Sequence, residues 1–262
     1  LRQQSIYLLP NLFTTAALFA GVAGCDAAAF NRWLVERGKP ALTEPELSKV
    51  VALITAAENE NTRKASFTAT LVGVDAARLG LSWRPGCPVG PADLRLITVS
   101  YWGFDNAGHT GELIVHRNIA LQTIRAFREL WDAKFPINRM DTAEKFASPT
   151  DFRPDGSFIE THGPDLVNDT SAFFCRPTTG SSSGWSQHSY GTAIDINPVQ
   201  NPYVSGTRAS PPEGAAFVRR RPARGLVTAG GPVVRAFARA GWAWGGRWRG
   251  DRDYQHFSAN GR

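Results

Sequence analysis

The stretch Ser186-Gln187-His188-Ser189-Tyr190-Gly191-Thr192-Ala193-Ile194-Asp195-Ile196-Asn197-Pro198 sets a histidine and an aspartate seven positions apart around a glycine and small residues. A helix brings ligand side chains together at spacings of three or four. The gap therefore predicts a turn at Gly191 and then a strand carrying Ala193, Asp195 and Asn197 on one side. Glycine suits the turn, and the small Ala193 leaves room for a metal ion beside the strand.

The C-terminal stretch Asp253-Tyr254-Gln255-His256-Phe257 supplies a second histidine, three positions after an acid. A catalytic zinc takes three protein ligands from histidine nitrogens and carboxylate oxygens and keeps one position open for water. His188, Asp195 and His256 provide that number. Asp253 is then the candidate general base, able to take a proton from water as it attacks an amide carbonyl and pass it to the leaving amine. Arg176, shortly before the motif, is the candidate anchor for an anionic part of the substrate, since a guanidinium holds a carboxylate through two parallel hydrogen bonds. Its alternative use is a structural ion pair. His109, His116 and His162 match no ligand spacing.

With 262 residues and 42% hydrophobic content, the chain can bury one good core, so one catalytic domain with an N-terminal appendage is expected. The net charge of +6 does not signal nucleic acid: the arginines are dispersed, and the densest run, Arg219-Arg220-Arg221, is broken by Pro222. A basic surface suits an anionic cell envelope instead. Residues 6–24 are almost free of charge and follow Arg2, like the apolar part of an export signal, and Val22-Ala23-Gly24-Cys25 looks like a bacterial lipobox. This predicts an export signal over 1–25, a lipid on Cys25, a linker and helical segment over 26–80, and a catalytic domain over 81–262. The zinc would then work on the extracytoplasmic face of the membrane or in the wall, in a monomer. Of the three cysteines, Cys87 and Cys175 are left as a pair, either a disulfide permitted by export or two buried thiols.

Between these points, Thr43-Glu44-Pro45-Glu46 opens a helix over 43–58 with a capping box. A strand is expected near Phe67 to Val72, and alternation predicts strands over Leu94 to Trp102, Gly111 to His116 and Thr170 to Arg176. Ile119, Ala120, Ile124, Phe127, Leu130 and Trp131 repeat as an amphipathic helix, and Pro232 to Ala240 forms a second one. Asp141 to Asp169, long and polar, reads as a loop bordering the site.

At these residues the chain resembles the zinc D-alanyl-D-alanine peptidase family, whose metal site is shared with lysostaphin-type endopeptidases and the hedgehog signalling domain. Ser186-x-His188-x-x-Gly191-x-Ala193-x-Asp195 and the acid at Asp253 carry the resemblance, which spans about residues 82 to 257. Ser82-Trp83-Arg84-Pro85-Gly86-Cys87-Pro88, Thr170-Ser171-Ala172-Phe173-x-Cys175-Arg176 and Asn197-Pro198-x-x-Asn201-Pro202-Tyr203 look like the branch with L-alanyl-D-glutamate endopeptidases. The resemblance implies a small α+β fold whose antiparallel sheet cradles a single zinc, acting on peptidoglycan stem peptides as a carboxypeptidase or an endopeptidase. It also leaves a rival from another class, a non-catalytic zinc-stabilised binding module on the cell surface.

Overall fold

A computed structural model of the chain describes residues 34–43, 46, 66–153, 155, 157–159, 161–179 and 184–261. The apolar stretch, Cys25 and most of the helix expected over 43–58 lie outside these residues. Of that helix start, the Glu46 carboxylate accepts the Thr43 N–H at 2.9 Å and the Thr43 hydroxyl at 2.8 Å. No helix among the described residues is long and apolar enough to cross a membrane. Contacts divide the chain into two units, one of Leu1–Ser66 with Phe104–Gly108, the other of Phe67–Gly103 with His109–Arg262. The second unit contains every site residue discussed below.

The fold is mixed α+β, with several small sheets and few helices. Its strands are β1 Ala69–Gly73, β2 Leu94–Gly103, β3 Gly108–His116, β4 Pro136–Ile137, β5 Ala193–Asp195, β6 Tyr203–Ser205, β7 Arg208–Ser210, β8 Ala243–Trp244, β9 Arg252–Asp253 and β10 His256–Ser258. The helices of the second unit, among the described residues, are α1 Ala76–Leu79, α2 Ala120–Asp132 and α3 Pro232–Arg239. In the first sheet β2 lies between β1 and β3, and β4 pairs in parallel with the end of β2 that β1 does not reach. β1 and α1 precede residue 81 and belong to the same unit as the site.

The apolar stripe of α2 turns Ala126, Phe127 and Leu130 onto Ile97 and Val99 of β2 and Leu113 and Val115 of β3. The same core takes Val233, Ala236 and Phe237 of α3, Ile194 of β5 and Phe257 of β10. Phe237 stacks on Phe257 at 4.6 Å and meets Phe127 edge-on at 6.1 Å. Full burial of such side chains contributes roughly 1.5–3 kcal/mol each. This packing matters for the site because strand side chains alternate: with Ile194 and Phe257 in the core, their neighbours Asp195 and His256 emerge on the opposite face.

Two local expectations change. The strand through Asp195 ends there, and Asn197 takes a left-handed conformation at φ 47°. Its buried side chain accepts the Asn138 N–H at 2.8 Å and donates to the carbonyls of Pro136 and Gly225. Asn197 thus braces the strand end instead of facing the site. The segment from Thr170 to Arg176 is extended but belongs to no ladder beyond a single bridge to Asp195. Residues 170–175 are buried throughout, so their apolar character reflects burial on all sides.

Candidate metal centre

His188 lies on a 3-10 turn, Gln187–Tyr190, capped at its start by Ser186, whose hydroxyl accepts the His188 N–H at 3.3 Å. Gly191 closes the turn at φ 67°. Its carbonyl accepts the His116 N–H at 2.8 Å, and a Cβ there would fall 2.7 Å from the same nitrogen. Only glycine satisfies both the positive φ and the close approach to β3. The chain then enters β5, and antiparallel pairing of β5 with β10 sets Asp195 directly opposite His256. Directly opposed residues in such a ladder bring their Cβ atoms about 4.5–5.5 Å apart, close enough to share an ion.

One ligand atom from each of His188, Asp195 and His256 lies within 4.8 Å of the others, and all three residues are buried. Among the described residues no other such group occurs. His188 Nδ1 is 2.6 Å from the Ala172 carbonyl, which places its proton on Nδ1 and leaves Nε2 as a lone-pair donor. That Nε2 stands 3.0 Å from Asp195 Oδ2, yet is buried without a hydrogen bond. Two electron-rich atoms held this close and dry suit a shared cation. On the other side Asp195 Oδ1 is 3.0 Å from His256 Nδ1. The donor set fits a single metal ion held by His188, Asp195 and His256.

Burial acts to raise the pKa of Asp195, but the electrostatic attraction of the adjoining His188 and His256 outweighs it and holds the carboxylate well below its ordinary range. Asp253 behaves oppositely. Burial, then the Asp195 charge, push it up to about 8 against the pull of His256. Its carboxylate sits at the end of β9, whose Asp253 pairs with Tyr203 of β6, and its Oδ1 is buried without a hydrogen-bond partner. A bound dication would oppose the Asp195 charge and favour the ionised form of Asp253.

Arg176 lines one cavity with His188, Asp195, Phe174 and Asp165. The hydroxyl of Ser189, next to His188, accepts the Arg176 N–H at 2.9 Å and lies 2.7 Å from the Arg176 carbonyl oxygen. The guanidinium rests over the Phe158 ring at 4.8 Å and donates to the Thr179 hydroxyl at 3.1 Å and the Pro177 carbonyl. None of these partners is a carboxylate, so Arg176 is held by neutral groups. Cys87 and Cys175 are joined as a disulfide, across a sequence separation of 88 residues. Trp248 tilts beside His256, ring centroids 5.5 Å apart.

Asp165 was not a candidate from its sequence context. It sits in a 3-10 turn, Pro164–Val167, within the long polar loop, and accepts a 2.8 Å hydrogen bond from Gln255 Nε2. Burial and the Asp195 charge push its pKa up to about 6. The only signal in its vicinity is the Gly-Pro-Asp turn, which speaks of conformation and not of chemistry.

Residues 179–259 match the family model described as D-alanyl-D-alanine carboxypeptidase. The segment bearing the site is thus similar to that family. The chain is accordingly a metallopeptidase, a hydrolase of peptide bonds. The match includes His188, Asp195, Asp253 and His256, and leaves Arg176 and Asp165 just ahead of it. No curated protein and no solved structure matches the chain.

Proposed function

We propose that this metallopeptidase uses zinc and acts on peptidoglycan stem peptides as a carboxypeptidase releasing the terminal D-alanine. The observation that carries the reading is the presence of Arg176, held by neutral partners, in the same cavity as His188 Nε2 and Asp195. A carboxypeptidase needs a fixed cation for the substrate's terminal carboxylate, and a guanidinium supplies one bidentately.

When bound, zinc supplies a Lewis acid and acidifies water. His188, its proton fixed on Nδ1 by the Ala172 carbonyl, presents Nε2 to the ion together with Asp195 and His256. Arg176 orients the peptide by its carboxylate end, and Trp248 shields the His256 side of the site from bulk water. Asp253 accepts the proton of the attacking water at a carboxylate oxygen and returns it to the departing amine nitrogen. The shielded Oδ1 of Asp253 is suited to this work because no hydrogen bond competes for it.

The apolar residues 6–24 and the lipobox-like Val22 to Cys25 support an address outside the membrane, with a lipid on Cys25, and a wall substrate agrees with that address. Digestion of purified stem pentapeptides with the zinc-loaded protein tests the reading. Mass spectrometry is expected to find free D-alanine. Fragments cut inside the stem would replace it with an endopeptidase, and normal zinc content without any hydrolysis would leave a binding module. Arg176→Lys is expected to raise KM about tenfold with little change in kcat, as loss of a bidentate contact does.

A further inference from the structure

The ring on which Arg176 rests belongs to a distant part of the chain, and a small closed hairpin holds it there. Phe152 and Phe158 face each other across an antiparallel bridge, with the Arg153 N–H on the Ser157 carbonyl at 2.9 Å and the Ile159 N–H on the Asp151 carbonyl at 2.9 Å. Both ends of the hairpin meet on one carboxylate. Asp151, fully buried, accepts the Ser148 N–H at 2.8 Å from one end, and from the other the Thr161 N–H at 2.8 Å, the Thr161 hydroxyl at 2.7 Å and the His162 N–H at 3.1 Å. Burial opposes its ionisation, and these bonds outweigh it.

Each ring of the hairpin takes one guanidinium. That of Arg84 lies 4.3 Å over Phe152 and donates to the Cys175 carbonyl at 3.0 Å, while that of Arg176 lies 4.8 Å over Phe158. Phe158 is wholly buried and is itself fixed edge-on against Phe174 at 5.4 Å. A ring attracts a cation through its face, whereas a carboxylate binds a guanidinium along its edge. The two modes do not compete. A ring therefore fixes the plane of Arg176 and leaves its edge to a ligand, which a carboxylate partner would not do.

We infer that the hairpin of residues 148–162 aims Arg176 at the substrate, with Phe158 as the positioning residue and Asp151 as the clasp that keeps the hairpin closed. The ligand class so selected is a peptide with a terminal carboxylate. This rests on the proposed role of Arg176 as the carboxylate anchor and adds what gives that anchor its direction.

The test replaces Phe158 by mono-, di- and trifluorophenylalanine, which drain negative charge from the ring face and barely change its volume. With the zinc-loaded enzyme and a stem pentapeptide, KM is expected to rise stepwise, reaching about 3- to 10-fold at the trifluoro ring, while kcat and zinc content stay level. In an Arg176→Ala background, whose KM is already raised, the same series is expected to be flat. A packing defect alone would neither follow the fluorine count nor depend on the residue at 176. A KM unmoved by fluorination, or a series that persists in Arg176→Ala, overturns the inference, and the anchor reading then stands if Arg176→Ala itself raises KM. A KM unmoved by Arg176→Ala removes the anchor and the inference together. Should hydrolysis be absent, the Kd of the pentapeptide from calorimetry replaces KM, with the same pattern expected. If the fluorinated chains do not fold, Thr161→Val, which removes one bond of the clasp from an exposed residue, takes their place. A rise in KM of about two- to threefold is then expected, and an unchanged KM overturns the inference.

Discussion

The two sides of the cavity are built by different means. On the metal side, Asp195 and His256 are rungs of one short ladder, and their neighbours Ile194 and Phe257 are sunk in the main core. On the substrate side, the segment leading to Arg176 borrows carbonyls wherever it passes: Arg139 for Thr170, Ile114 for Phe173, His188 for Phe174 and Ser82 for Cys175. Its end is pinned further by Arg84, which donates to the Cys175 carbonyl at 3.0 Å, and by the disulfide to Cys87. Backbone register permits no partial adjustment, because a slip of one residue would turn both ligands into the core.

The largest effect should separate the two sides. Chelation of the metal, or His256→Ala, is expected to lower hydrolysis at least about a thousandfold, with activity after chelation recovered on adding zinc. Arg176→Ala is expected to leave metal content intact. Metal per chain, read by elemental analysis beside hydrolysis, checks both, and loss of metal in Arg176→Ala would erase the distinction. Next in size is the disulfide. Paired Cys87→Ser and Cys175→Ser substitution opens a closure of 88 residues and is expected to cost about 2–5 kcal/mol in denaturant unfolding. The metal affinity of the folded fraction should barely change, since the pin lies on the substrate side.

Gly191→Ala tests the metal side. Its φ of 67° and the 2.7 Å approach to His116 N predict a loss of about 2–3 kcal/mol in stability, together with weaker metal binding as His188 shifts. The smallest effect concerns Asp169, fully buried behind the substrate segment, with Oδ1 accepting the Asp141 N–H at 2.8 Å and Oδ2 unpartnered. Burial pushes its pKa from 3.8 up to about 8. The folded state therefore keeps a proton that the unfolded chain sheds, and the stability this confers is complete below about pH 4 and lost as the pH climbs to 8. Asp169→Asn, which preserves the acceptor, is expected to flatten this slope by roughly 1–2 kcal/mol between pH 5 and 8. Parallel pH profiles of unfolding would show the assignment to be mistaken.

Much of the ladder side was legible because its signals are local. A glycine between His188 and Asp195 announces a turn, and alternation around Ile194 announces a strand. Helix α2 was legible for the same reason, its apolar positions recurring at one period. The substrate side was less so. Thr170 to Arg176 mimics a strand in its residues, but buried coil and buried strand share a composition, and only the scattered hydrogen bonds distinguish them. Asp165 carried no periodic or motif signal, since a polar residue after Gly-Pro is ordinary turn material.

Sequence alone determined which atoms are available to a metal, where the turn must fall, and which residues belong to the core, because side-chain chemistry and backbone permissiveness are properties of single positions. Tertiary structure alone decided that Asp195 faces His256 across a ladder, that Asn197 leaves the strand to brace it, and that Asp165 and Arg176 line one cavity. Those facts depend on the packing of segments distant along the chain, which local composition does not encode.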